Sequence, residues 1–541
     1  MLEANLSFLF RDNEVPVTYT SSVPADHAIK ALQSEAFTNW VLNASRIRGN
    51  KKLQIHSVEL QSVDMFGPHR VGFIKLNSHC TLSDGKAEHE HRLPGICFLR
   101  GSSVGILVKL HCVDDGKDYS LLVDQPRIPI GDASCLELPA GMIDPGSGSI
   151  GGVAAKEMKE ECDLDIHERD LIDLTQLAYG RETAGMCPSP GGCDEFIRLC
   201  YFERNVTMKE LDAMRGRLGG LEEEGEIITL RVVKFDEIWQ TCSDAKALCA
   251  LLLHKNLAET GKLDPLITLY NGHRMPSQAF GMYKVEAEDC KQVVLEAIAA
   301  GYRHFDTASF YGNEEALGSA LKESGIPREE LFITTKVWND AQKEGRAAVR
   351  ESFKKSLALL DCDYIDLFLV HWPVPECHVE TYKELELIQQ EGKCRSIGIS
   401  NYSEEDYQEL EAAEITVMPA VNQMEVSPAM YRAPTIKFFT DKRIVVSASK
   451  SLHRGASLGK KPIVDIAKKH SVTPAQVMLR WGLQKGLATT TKTSSPERMK
   501  ENRRLFTFTL DKDDITLLDG MTTEEDIANR AELEKARKSS M

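Results

Sequence analysis

From about residue 268 onward, short apolar runs alternate with stretches of helical periodicity. The runs are "QAFGMYKV", "RHFDTA", "LFITTKVW", "YIDLFLVHW", "SIGISN", "MPAVNQMEV", "RIVVSASK" and "LATTTK". Near-continuous apolar strands separated by helices suit a parallel sheet covered on both faces, and eight of them predict an α/β TIM (β/α)8 barrel. Residues 53 to 240 have another rhythm. There "LQIHSVEL", "VGFIKL", "VGILVKLHCV", "YSLLVDQ" and "IITLRVV" are separated by polar turns with few helical patterns, which predicts a mixed α+β domain. The join falls in the polar segment "HKNLAETGKLDPL", residues 254–266, after the helix-like "AKALCALLLHK". The predicted organisation is a β-rich part over 1–95, the rest of the first module over 96–258, a linker over 259–267 and the barrel over 268–541.

Composition narrows the class. Of 541 residues, 42% are hydrophobic and 27% charged, which is ordinary globular protein and excludes disordered or collagen-like chains. A net charge of −16 argues against a general nucleic-acid binder, because phosphate attraction needs a basic face. An anionic small substrate stays open, since local charges or a metal override the global field. The 14 cysteines form no CxxC pair and no cysteine–histidine cluster at zinc-finger spacing, so a reducing compartment is expected. The N-terminus has no Arg/Ser-rich transit character and no run of about 18 apolar residues occurs, so no membrane association is expected. The expected location is cytoplasmic, with a plastid left open.

The first candidate chemistry lies in "AAKEMKEECDLDI", residues 154–166, where Glu157, Glu160 and Glu161 crowd about one and a half helical turns. Like charges at these spacings cost helix stability. On a helical projection the three carboxylates face outward together, opposite Ala155, Met158 and Cys162. A solvated acidic face is one reading. The other is a site for hard divalent cations, because "LELPAGMIDPGSG" places a strand and a Gly/Pro-rich loop just before the helix. Here the sequence resembles the Nudix hydrolases, with Gly141 followed by "KEMKEECDL". Lys156 stands for the family's arginine and Asp163 for its glycine, the spacing is one residue longer, and Ser147 or Gly148 occupies the early glutamate position. The blocks "VDMFGPHRVGFIK", "PGICFLRG", "VDQPRIPIG", "LELPAGMIDP", "CPSPGGCDEF" and "LEEEGEIITLRVV" look like those of plant-type ADP-sugar diphosphatases.

That resemblance implies a Nudix fold, a mixed sheet in an α/β/α sandwich. It implies magnesium or manganese held by Glu157, Glu161, Glu226 and the carbonyl of Ala140, with Glu160 assisting and Glu224 as general base. Arg127 and Glu195 become substrate contacts, with an ordinary surface ion pair the competing reading. Hydrolysis of ADP-glucose would give AMP and glucose 1-phosphate, with ADP-ribose also open. The resemblance further implies a homodimer through this module.

The barrel offers a second chemistry. "GYRHFDTASFYGNE" places Asp306 at a strand end and Tyr311 in the following loop; Lys336 and His371 end the next two strands. Polar groups at successive strand ends converge on the rim that carries catalysis in TIM barrels. From about 269 to 520 the sequence resembles the aldo-keto reductases. The resemblance implies that Tyr311 donates a proton to a carbonyl oxygen, Lys336 lowers its pKa, Asp306 pairs with Lys336 and His371 orients the carbonyl. Ser400, Asn401 and Gln423 would hold the nicotinamide amide, and Lys492, Thr493, Arg498, Glu501 and Asn502 the adenosine end, with NADPH favoured over NADH. Trp338, Trp372 and Tyr283 would line a substrate pocket, or else belong to the core. One departure concerns the seventh strand, where "ASKSL" puts Ser449 at the position of the family's nicotinamide-stacking aromatic.

Together these expectations describe a bifunctional enzyme, a metal-dependent ADP-sugar diphosphatase followed by an NADPH-dependent reductase. Its partners would be a nucleoside diphosphate sugar and a carbonyl compound. One rival makes the barrel an NADP-binding regulatory or sensing module. Another makes the first domain a non-hydrolysing scaffold.

Overall fold

The computed structural model describes residues 6–46, 52–83, 91–143, 149–180, 183–220 and 227–539. The chain forms two compact units. One comprises Met1–Leu110, Asp118–Arg204 and Glu210–Leu253; the other comprises His254–Met541 with His111–Lys117 and Asn205–Lys209. Among the described residues no helix is long and apolar enough to cross a membrane.

The first unit contains two sheets. In one, Leu6–Phe10, Asn13–Tyr19, Lys52–Phe66, Arg70–Ser83 and His91–Leu93 lie in order, with Ile96–Leu99 also pairing with Arg70–Ser83. Alternation along these strands sends Val15, Val17, Ile55, Val58, Leu60, Ile74 and Leu76 into one apolar cluster with Ala28, Ala31 and Phe37. The second sheet is built around Ser103–Cys112, a largely apolar strand whose residues are all buried, Lys109 and His111 included. Asp118–Arg127 lies beside it, and Ala140–Met142 pairs with its start, Ala140 opposite Gly105.

Helix α1 (Ile150–Cys162) follows. Ser149 caps it by accepting from the Gly152 amide, and it stops at Asp163, which adopts a left-handed φ of 46°. Asp163 stands where the resembled box has glycine; ion pairs with Lys159 and Arg217 hold it there. Those partners draw its carboxyl down to about 2. Helix α2 (Ala245–Glu259) runs through the first part of the polar segment expected to be a connection. The segment retains good helix formers, and no Pro or Gly interrupts it before Gly261.

The second unit is a closed barrel of eight parallel strands: β1 (Gln278–Gly281), β2 (His304–Asp306), β3 (Phe332–Val337), β4 (Ile365–Val370), β5 (Cys394–Ser400), β6 (Val421–Glu425), β7 (Val445–Ser449) and β8 (Ala488–Thr491). Seven lie within the apolar runs quoted from the sequence, and β5 begins two residues ahead of its run, at Cys394. Closure is made by β1 against β8, with Gln278 opposite Thr489 and Phe280 opposite Thr491. A core including Phe280, Phe305, Ile333, Phe368, Ile397 and Val446 joins strands to the surrounding helices. Two later helices bear on the site, α3 (Pro496–Arg503) and α4 (Glu524–Ser539).

Candidate active site

Parallel register brings the C-terminal ends of the strands to one rim, and the candidate groups of the barrel meet there. Lys336, in β3, is completely buried. Its ammonium donates to Asp306 Oδ1, at the end of β2, at 2.7 Å and to the Thr307 carbonyl at 2.7 Å. A buried ammonium is tolerable only with such partners, and Asp306 is itself buried.

Tyr311 closes the short turn Ser309–Tyr311, which Gly312 ends with a φ of 68°. Its ring lies 5.2 Å from Lys336 Nζ, 5.1 Å from the Tyr283 ring and 5.8 Å from the His371 ring. Burial raises the phenol above its ordinary range, while the Lys336 charge pulls it down. Burial outweighs the charge. The expected downward influence of Lys336 is therefore present, but the net shift is upward. Lys336 itself is held above its usual range because Asp306 and Tyr311 outweigh its desolvation.

Aromatic rings wall this rim. Trp338 stacks on Phe310 at 3.9 Å and meets His371 edge-on at 4.8 Å. Tyr283 and Phe310 are exposed, Trp338 is half-buried and Trp372 is buried. Of the expected pocket residues, Trp372 thus has least access to a ligand. Phe310 was missed by sequence reasoning, although its place in "SFYGNE" beside Tyr311 was a signal.

Ser400, Asn401 and Gln423 come together beside these groups. Ser400 Oγ and the Asn401 amide both donate to the Gln423 carbonyl, at 2.9 and 2.8 Å. Asn401 takes a left-handed φ of 61° and its side-chain amide donates to the His371 carbonyl at 3.0 Å. Gln423 Nε2 donates to Asp306 Oδ2 at 2.7 Å.

The expected adenosine end lies just before and along α3. Lys492 and Arg498 are exposed, and among the described residues neither forms an ion pair. Thr493 Oγ1 accepts from the Ser495 amide and Ser495 caps α3. Asn502 is buried, and Glu501 accepts from Thr473 Oγ1 at 2.7 Å. Two exposed cations in no ion pair among the described residues, beside a helix N-terminus, suit a phosphate dianion, so this donor set fits NADPH.

Ser449 ends β7 opposite Glu425. The next residue, Lys450, has a φ of 52° and pairs with Glu425. Arg530 of α4 binds the same carboxylate at 2.6 Å. Sequence reasoning gave no sign of this ion chain.

In the first unit, the three glutamates of α1 do not share an outward face. Glu161 is buried, because α1 packs on Ala140–Met142 and the Ala140 amide donates to Glu161 Oε2 at 3.1 Å. Glu157 lies against Gly141, where a Cβ would come within 1.8 Å of its carboxylate oxygen. Glu160 pairs with Lys156 at 3.5 Å. Glu224 and Glu226 fall outside the described residues. Among the described residues no group of three or more His, Cys, Asp or Glu side chains is placed to hold a metal ion. Arg127 is bound by Glu137, which Lys246 also pairs. These two cations hold the Glu137 carboxyl down at about 2, against the effect of its burial. Glu195 accepts from Ser103 Oγ at 3.0 Å and pairs with Arg100 at 3.5 Å. Both expected substrate contacts are thus in ion pairs, with different partners.

The model of the Aldo/keto reductase family matches residues 277–522. An aldo-keto reductase of Mycolicibacterium smegmatis is 39% identical over 263 residues, covering 48% of this chain and 94% of that protein. Glyoxal reductase of Bacillus subtilis is 38% identical over 264 residues, covering 49% and 95%. The solved structure of a Bombyx mori aldo-keto reductase in complex with NADP is 30% identical, covers 48% of this chain and 93% of that one, and superimposes with a TM-score of 0.45. The family model and the relatives from Mycolicibacterium smegmatis and Bacillus subtilis, nearly all of whose length this chain covers, lead to one conclusion: the chain belongs to the aldo/keto reductase family.

Proposed function

We propose that the barrel is an NADPH-dependent reductase of small aldehydes and ketones. The observation that carries this reading is the wholly buried Lys336, held by Asp306 and Thr307 beneath the Tyr311 ring. Ser400, Asn401, Gln423, Lys492, Thr493, Arg498, Glu501 and Asn502 would hold NADPH, which when bound would supply the hydride. Tyr311 gives its phenolic proton to the carbonyl oxygen as negative charge develops there, and Lys336 stabilises the phenolate left behind. His371 orients the carbonyl, and Phe310 and Trp338 keep water from its far side. A module that merely senses NADP would gain from Ser449, but it would have no use for a buried ammonium placed against a phenol. Relatives named for glyoxal and methylglyoxal reduction make small dicarbonyls the first substrates to try. NADPH oxidation by the full chain with these compounds, compared with Tyr311→Phe, tests the reading. Equal rates in the two proteins refute it.

A second activity is proposed for the first unit, hydrolysis of an ADP-sugar to AMP and a sugar phosphate with magnesium or manganese. The supporting observation is that Ala140 and Gly141 receive Glu161 and Glu157 side by side from α1. Those two carboxylates with the Ala140 carbonyl would hold the cation and Glu226 would complete the set, with Glu160 assisting and Glu224 acting as base. Bound magnesium would neutralise diphosphate charge. Arg127 and Glu195 would face the substrate. Incubation with a panel of ADP-sugars and magnesium, with both products identified, tests it; absence of AMP from every substrate removes it. Homodimer formation through this unit and a cytoplasmic location belong to the same proposal.

A further inference from the structure

Asp306 is a two-sided acceptor. Lys336 Nζ takes Oδ1 at 2.7 Å, and Gln423 Nε2 takes Oδ2 at 2.7 Å from across the barrel. All three side chains are buried. The orientation of the Gln423 amide follows from chemistry, because the opposite one would set its carbonyl oxygen against a carboxylate oxygen. Its Nε2 is committed to Asp306, so Oε1 is the atom that remains to accept from an incoming carboxamide N–H. One residue therefore touches both the charged pair beneath the phenol and the place assigned to the nicotinamide amide.

We propose that Gln423 is a positioning residue for proton transfer, setting the acidity of Tyr311 through Asp306. This rests on the reductase reading and extends it. The amide dipole offsets part of the Asp306 charge. Without it, Asp306 neutralises Lys336 more fully and less of the ammonium's field reaches the phenol. The groups facing Tyr311 are Lys336, Asp306, Tyr283 and the His371 ring. Behind the relay, Glu314 feels the Lys336 charge while accepting from Thr335 and Ser356, and His304 feels that of Asp306. The Asp306 carboxylate accepts from the side chains of Lys336 and Gln423, and Gln423 is the uncharged one of the two, so its removal changes the Asp306 charge that Lys336 meets without removing a cation.

The test uses the full chain labelled with [13Cζ]tyrosine, without cofactor, and the Tyr311 resonance assigned by its loss in Tyr311→Phe. Gln423→Leu removes the donor, and Gln423→Glu keeps the shape while adding negative charge. Both are expected to move the Tyr311 titration upward, by roughly one pH unit for the leucine. NADPH affinity, read by quenching of tryptophan fluorescence, is expected to fall in the same variants. Weaker NADPH binding with an unmoved Tyr311 titration would make Gln423 a cofactor contact only and overturn the proposal. Circular dichroism checks each fold, and the glutamate variant decides the question if the leucine variant does not fold. Because the titration needs no cofactor, it still judges Gln423 if the wild-type chain proves unable to oxidise NADPH, which would count against the reductase reading alone.

Discussion

Removal of the Lys336 ammonium should be far more costly than removal of an exposed lysine. Its side chain is wholly buried and its two acceptors, Asp306 and the Thr307 carbonyl, are buried with it. In Lys336→Met, Asp306 would keep only the Gln423 amide, a neutral donor, against a full charge. Breaking a buried ion pair from one side costs about 3–5 kcal/mol. Asp306→Asn should cost about as much, because the ammonium then has no counter-charge. The double variant removes both charges and should recover about 2 kcal/mol or more relative to the sum of the single losses. Hydrogen exchange of peptides from β2 and β3, followed by mass spectrometry across a urea series, reads the barrel separately from the first unit. Single losses below about 1 kcal/mol, or strict additivity in the double variant, would refute the idea that the pair is held as ions. There is also a pH signature. The folded pKa of Lys336 is raised, so its stabilisation is complete below the unfolded lysine value of about 10.4 and fades as pH climbs through the folded value.

Four further outcomes are expected. Reduction should persist to alkaline pH, because burial keeps the Tyr311 phenol protonated; an alkaline fall centred near neutrality in the rate profile would contradict this. Ser449→Tyr should tighten NADPH binding by up to about tenfold through ring stacking, measured by fluorescence titration; no change would show that the ring cannot reach the nicotinamide. Gly141→Ala should displace the Glu157 carboxylate and lower any magnesium-dependent hydrolysis of ADP-sugars while sparing NADPH oxidation, as parallel assays on one preparation would reveal. The stabilisation from Glu137, whose folded pKa is depressed to about 2, should be lost as pH falls from 4.5 toward that value. Glu137→Gln should flatten this acid slope in thermal melts.

The barrel was readable because its strands are buried on both faces and therefore appear as apolar runs whatever their neighbours. Asp306, Lys336 and His371 could be placed at strand ends by counting along those runs. Contacts between distant runs could not. Gln423 and Asp306 are 117 residues apart, and nothing in either segment announces the hydrogen bond between them. Glu161 shows the same limit. Helical periodicity correctly put Met158 and Cys162 inside, but the face that packs depends on Ala140–Met142, whose position belongs to the sheet. Net acidity at Tyr311 was legible only in part for a related reason, since the cation that lowers it was visible in sequence and the depth of burial that raises it was not. The Glu425, Lys450 and Arg530 chain joins the ends of β6 and β7 to α4, which no local pattern could suggest.

The seam between β1 and β8 sets an order on folding. Gln278 must find Thr489, about two hundred residues later in the chain, before the first barrel strand has both neighbours. During synthesis at about 5–20 residues per second, β1 waits on the order of ten seconds or more with one edge unpaired. Such an edge is a template for a foreign strand. Until β8 emerges, the nascent barrel is open, and this interval is when a chaperone would matter most to it. The first unit is built differently. Lys52–Phe66 and Arg70–Ser83 pair as an antiparallel hairpin across a turn of only a few residues, so that sheet begins to assemble as soon as both strands are made.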